Sequence, residues 1–508
     1  MGCSSSKDRR TPGSGGRSSR ALVVIAGFVL ATALSSSLVG CLVDDRTFGR
    51  VLNAVTGLNG LDAEAERELD RYHAAYNKYV RPGDDERQLE HFSDAFVRVR
   101  AEYVRPIADA VLIDAAIKGV EDLKAEPRSL PPAEVVEASL DAMMASLDPH
   151  SLYLNPSEHR NTHNSMKGQF GGLGIEITME KDLVKVVSPI EDTPAYRAGI
   201  KSGDLITHLN GKAVAGMSLS ESVRIMRGRP GTDIRLTIQR ADLPPFEVTI
   251  TRAIIRIRAV RWRIEGDIGY LRVATFNERV EAGVDSAMTG IRARLGPRLR
   301  GIVLDLRNNP GGLLDQSVTL ADNFLNSGLV VSVRGRDPAH RRNYEAVSGD
   351  LAERLPLVVL VNGGSASASE IVASALQENG RAIVMGTRSF GKGSVQTITP
   401  LPLEGALRLT TALYYGPSGR AIQARGVSPD IVIEPMEEEN KRQREADLAG
   451  SLPAQSAVSE RTRASISEAQ CPAIGEKEDR HLGCALEMIF AGSPEKFLAS
   501  AAARRPRM

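Results

Sequence analysis

The chain has 508 residues, a net charge of +1, 42% apolar content, 4% aromatic residues and a single tryptophan. Balanced charge gives no electrostatic reason to expect a nucleic acid partner, and so few rings exclude a base-stacking platform. The length suits two to four domains.

Arg9, Arg10, Arg17 and Arg20 precede the apolar run ALVVIAGFVLATAL, the order of a basic n-region and an h-region in a secretory signal. Leu38-Val39-Gly40-Cys41 follows and is similar to a bacterial lipobox, whose cysteine is acylated and becomes the new amino terminus. Residues 1–40 therefore read as a signal peptide ahead of a lipidated Cys41. The alternative is an uncleaved transmembrane anchor, since no charge interrupts Ala21 to Val43 and about twenty apolar residues span a bilayer. Both readings hold the body at a membrane on the periplasmic side of a bacterial cell envelope. Met1-Gly2-Cys3 with Ser6 also matches an N-myristoylation signal, but an export segment follows it directly.

Residues 44–167 read as helical. EAERELDRYHAAYNKYV, DERQLEHFSDAFVRVRAEYV and DAVLIDAAIKGVEDL carry apolar residues at three- and four-residue spacing. Residues 168–252 form a β-rich module, with the runs GIEIT, LVKVV, DLITHLNG, IRLTIQR and FEVTI around one helix, SLSESVRIMRG. That organisation resembles a bacterial PDZ domain. Gly172-Leu173-Gly174-Ile175 matches its carboxylate-binding loop, where successive amides hold a peptide C-terminus and the next strand pairs with it; a plain glycine turn is the simpler alternative.

Residues 253–435 alternate strand, turn and helix. IGYLRVATF opens this region, GIVLDLRNNPGG is a strand ending in a glycine-rich turn, and LLDQSVTLADNFL is the helix behind it. The turn lacks the Lys-Ser/Thr of a phosphate loop. Leu357 to Val361 is a strand, Gly363-Gly364 a turn, and Ile371 to Leu376 a helical pattern, so Ser367 sits where strand becomes helix. Free amides and the helix dipole can stabilise an oxyanion there. Ser367-Ala-Ser-Glu370 also fits a capping box, which alone accounts for the serine. Lys392 lies between two glycines; free lysine, with a pKa of ~10.4, is a poor base at neutral pH, and desolvation lowers that value by up to several units. Gln396 lies four residues on in GSVQTIT, where strand alternation puts it on the face of Lys392. Separately these are a cap, a surface charge and a polar strand residue. Together they form a Ser-Lys-Gln set.

Five segments in order, LDPHS at 147–151, GGLGIEI at 171–177, DLRNNPGG at 305–312, GGSASASEI at 363–371 and FGKGSVQ at 390–396, closely resemble the C-terminal processing peptidases. The resemblance runs from about Val97 to Pro435. It implies a multidomain α/β enzyme: a helical N-terminal region, an inserted PDZ-like domain, and a spiral αβ catalytic core related to crotonase and Clp protease. It implies Ser367 as nucleophile, Lys392 as base and Gln396 as the residue orienting the lysine, with Ser365 and Ser369 as neighbours at the helix start. The oxyanion amides are then Ala368 and either Gly311 or Gly312. Substrates are proteins or peptides with free C-termini, no cofactor or metal is needed, and a homo-oligomer is compatible. His150 falls outside the catalytic set. The rival readings are a non-hydrolytic PDZ adaptor and a crotonase-type acyl-thioester enzyme.

Residues 436–508 begin with EEENKRQREADLAG and SLPAQSAVSERTRAS, a charged linker by composition, followed by a small end. Cys471 and Cys484 are the cysteines left in the body. An exported chain favours a disulfide between them over two buried thiols. No C-x-x-C or histidine cluster accompanies them, so zinc is not expected.

Overall fold

The computed structural model describes residues 61–504 apart from 84, 191, 241–242, 257, 437–442, 456–462 and 476–477. Cys41 and the whole export segment lie outside the described residues. Among the described residues no helix is long and apolar enough to cross a membrane.

Four amphipathic helices come first: α1 (Ala63–Tyr79), α2 (Arg87–Glu102), α3 (Asp109–Glu121) and α4 (Pro132–Ala145). Their three- and four-residue spacing buries Phe92, Phe96 and Val99 of α2 and Val136, Leu140 and Met143 of α4. The Tyr72 ring stacks on Phe92, centroids 3.6 Å apart, and its hydroxyl donates to Ser139 Oγ at 3.0 Å. Strand β1 (Leu152–Leu154) and helix α5 (Pro156–Met166) follow. Asn155 caps α5 by accepting the amides of Ser157 and Glu158.

A two-stranded stem, β2 (Gln169–Gly172) with β9 (Ala253–Arg256), carries the β-rich module. Its sheet runs in the order β3 (Ile175–Glu180), β4 (Leu183–Pro189), β5 (Leu205–Leu209), β7 (Asp233–Gln239), β8 (Phe246–Thr251), with β6 (Lys212–Ala213) on β5. Two helices, the one-turn α6 (Pro194–Arg197) and α7 (Leu219–Met226), complete it. Alternate residues of β7, Ile234, Leu236 and Ile238, enter its core while their neighbours face out, which is why the strands were legible as alternating runs.

The region after the stem has two sheets. Strands β10 (Val260–Glu265) and β11 (Ile268–Val273) are antiparallel; β12 (Gly301–Asp305), β15 (Leu357–Val361), β16 (Ile383–Gly386), β19 (Ile431–Glu434) and β20 (Ala464–Ser467) then add in parallel. The second sheet runs β1, β18 (Ala406–Tyr415), β13 (Leu329–Gly335), β14 (Arg342–Glu345), with β17 (Ser394–Pro400) also on β18. In the parallel sheet Ile302, Leu304, Val359 and Val361 pack on the side of α8 (Val280–Leu295), α9 (Leu314–Asp322) and α10 (Ala368–Glu378). Val303, Val358 and Leu360 pack on the opposite side, against α11 (Arg480–Ala491) and α12 (Pro494–Ala503). Strands buried on both faces read as unbroken apolar runs, as Leu357 to Val361 does.

That second layer corrects the expected boundary at 435. Residues beyond it supply strand β20 and two helices, with Phe497 fully buried, and Cys471 and Cys484 are joined by a disulfide at the start of this layer. The physical reason is that the sheet has two apolar faces and the helices before 435 cover one. Arg307 bolts the layer on. Its guanidinium donates to both carboxylate oxygens of Asp479, at 2.8 and 2.7 Å, and to Asp305 at 2.7 Å. Asp479 in turn caps α11 through the Leu482 amide. Burial alone would lower the Arg307 pKa, but the two carboxylates raise it above its ordinary value.

Candidate active site

Ser367 is the residue before α10 and takes φ 55°, a left-handed conformation that a non-glycine residue holds only when its surroundings impose it. Its two serine neighbours impose it. Ser365 Oγ donates to the Leu306 carbonyl at 2.8 Å, and Ser369 Oγ donates to the Asn309 carbonyl at 2.9 Å, so both are tied to the turn that follows β12. Both are fully buried, whereas Ser367 keeps 9% of its surface exposed. The capping-box arrangement of Ser367 with Glu370 is present. Glu370 Oε2 accepts the Ser367 amide at 2.8 Å, but the Ser367 side chain makes no cap hydrogen bond. Of the three hydroxyls in SASAS, the middle one is thus left for other work.

Glu370 is the residue that sequence reasoning undervalued. The same Oε2 that takes the Ser367 amide also takes the Lys392 amide at 2.9 Å, and Oε1 takes the Gly391 amide at 2.7 Å and the Ser389 hydroxyl. The Ser367 and Lys392 amides therefore lie no further apart than those two bonds laid end to end. Burial pushes the Glu370 carboxyl up to about 7, against the lowering effect of these four donors. The S-x-x-E spacing signals its presence, but its second partner comes from a loop twenty residues away.

Lys392 is largely buried on that loop. Desolvation brings its pKa down to about 8; Arg408 pushes the same way, and Glu445, Asp148 and Glu370 oppose them. Strand β17 begins at Ser394, after Lys392, and its register shifts between Val395 and Gln396. The extra residue at that shift is Thr411 on β18, so the count along β17 is unchanged, and Lys392 lies two residues before the strand begins. The Gln396 amide donates to Ser394 Oγ at 2.9 Å and to Thr410 Oγ1 at 3.3 Å. Thr410 Oγ1 donates to Asp148 of the LDPHS turn at 3.1 Å, and Ser151 Oγ donates to the same carboxylate at 2.7 Å. Pairing of Leu152 with Arg408, from β1 to β18, fixes the turn there. His150 Nε2 faces Glu445 Oε2 at 2.7 Å.

The glycine-rich turn reaches the other side of Ser367. A Cβ on Gly311 (φ 99°) would stand 2.9 Å from Ser367 Cβ, and one on Gly312 (φ 142°) would lie 2.0 Å from the Phe276 carbonyl oxygen, so neither position admits a side chain. The Gly311 amide donates to Asn309 Oδ1 at 2.9 Å, which removes it as an oxyanion donor. Phe276 bridges this turn through the Gly311 carbonyl and the Leu313 amide, leaving the Gly312 amide out of the bridge. Ala368, the first residue of α10, has an amide with no acceptor inside its helix. Gly312 and Ala368 are the two candidate oxyanion donors.

In the β-rich module Gly172 belongs to the stem and pairs with Ala253, so the free loop is shorter than the four residues expected. The Leu173 carbonyl accepts the Ala195 amide and the Gly174 carbonyl accepts the Ile190 amide, at 2.9 and 2.8 Å, so both carbonyls turn inward. Ile175 opens β3, an edge strand with β4 on one side. An edge strand behind a turned loop can accept an extended peptide. Among the described residues no group of three or more His, Cys, Asp or Glu is placed to hold a metal ion.

Residues 267–433 match the model of peptidase family S41, and residues 185–240 match that of a PDZ domain. A carboxy-terminal-processing protease of Bartonella bacilliformis is 49% identical over 358 residues, covering 70% of this chain and 77% of that one. A probable CtpA-like serine protease of Staphylococcus aureus is 35% identical over 302 residues, 59% of this chain and 60% of its own length. Among solved structures, a photosystem II D1 C-terminal processing protease aligns at 30% identity with a TM-score of 0.45, over 69% of this chain and 93% of that one.

Proposed function

The chain belongs to peptidase family S41, as a C-terminal processing serine protease with a PDZ domain, and from that premise we propose that Ser367 is its nucleophile and neutral Lys392 its base. The observation that carries this reading is the division of labour in SASAS: two serines fasten the loop, and the third stands at a left-handed elbow tied through Glu370 to a desolvated lysine. Ser367 Oγ attacks the peptide carbonyl as its proton passes to the Lys392 amine. The oxyanion is taken by the Gly312 and Ala368 amides. The Lys392 ammonium then protonates the leaving amine, and water hydrolyses the acyl-enzyme. Gln396 acts by holding Ser394 and Thr410, and with them the start of β17 beside the lysine loop.

The sign of the pH dependence follows from the base. A protonated amine cannot accept the serine proton, so kcat is lost below the Lys392 pKa and gained above it, with a limb near 8. With chemistry rate-limiting, a flat profile between about pH 6 and pH 10 contradicts a lysine base.

The PDZ domain is assigned to the substrate's free C-terminus, with Leu173, Gly174 and Ile175 presenting amides to the carboxylate and β3 pairing with the tail. A peptide with a free apolar C-terminus should be cleaved several-fold faster than its amidated twin. Equal rates in the intact enzyme would reduce Gly172 to Ile175 to a turn.

We further propose that the enzyme works outside the cytoplasm, held to the membrane through Cys41. The disulfide between Cys471 and Cys484 supports an oxidising compartment. The mass of the mature amino terminus decides this: a start at modified Cys41 agrees, and a start at Met1 favours the uncleaved anchor.

A further inference from the structure

The segment following residue 442 lies beyond the family match, which ends at 433, and beyond all five sequence motifs, yet it grips the lysine loop. Glu445 is 1% exposed. Its amide donates to the carbonyl of Phe390, two residues before Lys392, at 3.2 Å. Its Oε1 accepts Gln423 Nε2 at 2.9 Å, and Gln423 Oε1 accepts the amide of Gly393, one residue after Lys392, at 2.9 Å. Its Oε2 meets His150 Nε2 of the LDPHS turn at 2.7 Å. The Gln423 amide also donates to the Leu452 carbonyl at 3.1 Å, so the far end of the segment closes on the same glutamine.

A carboxylate buried this completely is expensive to keep unless its partners hold it; beside Ser451 Oγ of its own segment, at 3.4 Å, these are Gln423, tied to the lysine loop, and His150 of the turn beside it. A C-terminal connector would have no need of it. Gln423 is itself fully buried, and a Cβ on Gly393 would stand 2.2 Å from its backbone nitrogen, so loop and glutamine are locked together.

We propose that residues 443–452 are a strap that positions the catalytic base, with Glu445 as its positioning residue: it fixes the Phe390–Gly393 loop through two contacts and adds a negative charge to the surroundings of Lys392. The inference rests on the reading of Lys392 as base. The charged groups facing that lysine are Arg408 on β18, Asp148 in the LDPHS turn, Glu370 on α10 and Glu445 on the strap, the last paired with His150. Of the three carboxylates, Glu370 is bound to the nucleophile and Asp148 to the turn. Glu445 is the one supplied by the chain beyond 435.

The test is the pH–rate profile of the full-length enzyme on a free-C-terminus peptide, with folding checked by thermal melting. Glu445→Gln removes the charge and keeps the shape. Losing a nearby anion makes the ammonium harder to keep, so the rising limb should move to lower pH by about half a unit or more. Gln423→Leu keeps the charge and cuts the tie to Gly393; kcat should fall about tenfold with KM and the limb unchanged, as expected when a group that orients the base is released. Should Glu445→Gln fail to fold, Gln423→Leu decides alone. An unmoved limb in folded Glu445→Gln, or a wild-type kcat in Gln423→Leu, overturns the strap. A wild-type enzyme with no limb at all, or an active Lys392→Ala variant, instead overturns the lysine base, and the strap falls with it.

Discussion

Ser367→Ala and Lys392→Ala are each expected to lower peptide hydrolysis by at least about a thousandfold while leaving the fold in place, because members of a nucleophile–base unit fail together rather than additively. The fold should survive. Ser367 makes no side-chain cap hydrogen bond, and the loop around it is held by Ser365, Ser369 and Glu370, which both variants keep. Lys392→Arg should be as inactive as the alanine variant, since a guanidinium stays protonated and cannot accept the serine proton. Turnover near the wild-type level in any of the three, once purified and shown to be folded, contradicts the assignment.

Truncation after Pro435 should give a chain that does not fold, a larger effect than a charged linker could have. It removes β20, α11 and α12 and uncovers Ile268, Tyr270, Val303, Val358, Leu360, Met385, Ile431 and Ile433 on one face of the parallel sheet. At roughly 1.5–3 kcal/mol for each large apolar side chain returned to water, those losses reach or exceed the whole stability of about 5–15 kcal/mol expected of a domain. The Arg307–Asp305–Asp479 network is cut at the same time, leaving the Arg307 guanidinium with one carboxylate partner fewer. A soluble, cooperatively melting 1–435 fragment, followed by circular dichroism, would show that the second layer is an accessory.

What the sequence could tell depended on how local each feature is. The strand at Leu357 to Val361, the turn after it and helix α10 are written in consecutive residues, so the elbow at Ser367 is legible in the sequence. The alternating strands of the PDZ domain were legible for the same reason. Glu370 was half legible: its cap to Ser367 is local, whereas its bonds to Gly391 and Lys392 join segments that only the fold brings together. Lys392 lies ahead of the strand that holds Gln396, so counting by twos is not anchored at the lysine. The choice between Gly311 and Gly312 turns on the Asn309 side chain taking one amide, which no spacing rule reports. The layer beyond 435 was misread because its opening stretch is charged, and composition says nothing of a single buried carboxylate such as Glu445 or of a sheet face waiting to be covered.

The most direct test of a serine nucleophile activated by a neutral lysine is reaction with a fluorophosphonate followed by mass mapping of the adduct. The account predicts one adduct, on the peptide that contains Ser367, formed faster as pH rises through the range where Lys392 loses its proton, near 8, and all but absent in Lys392→Ala. An adduct on another serine, or equal labelling of Ser367 in Lys392→Ala at every pH, would contradict it.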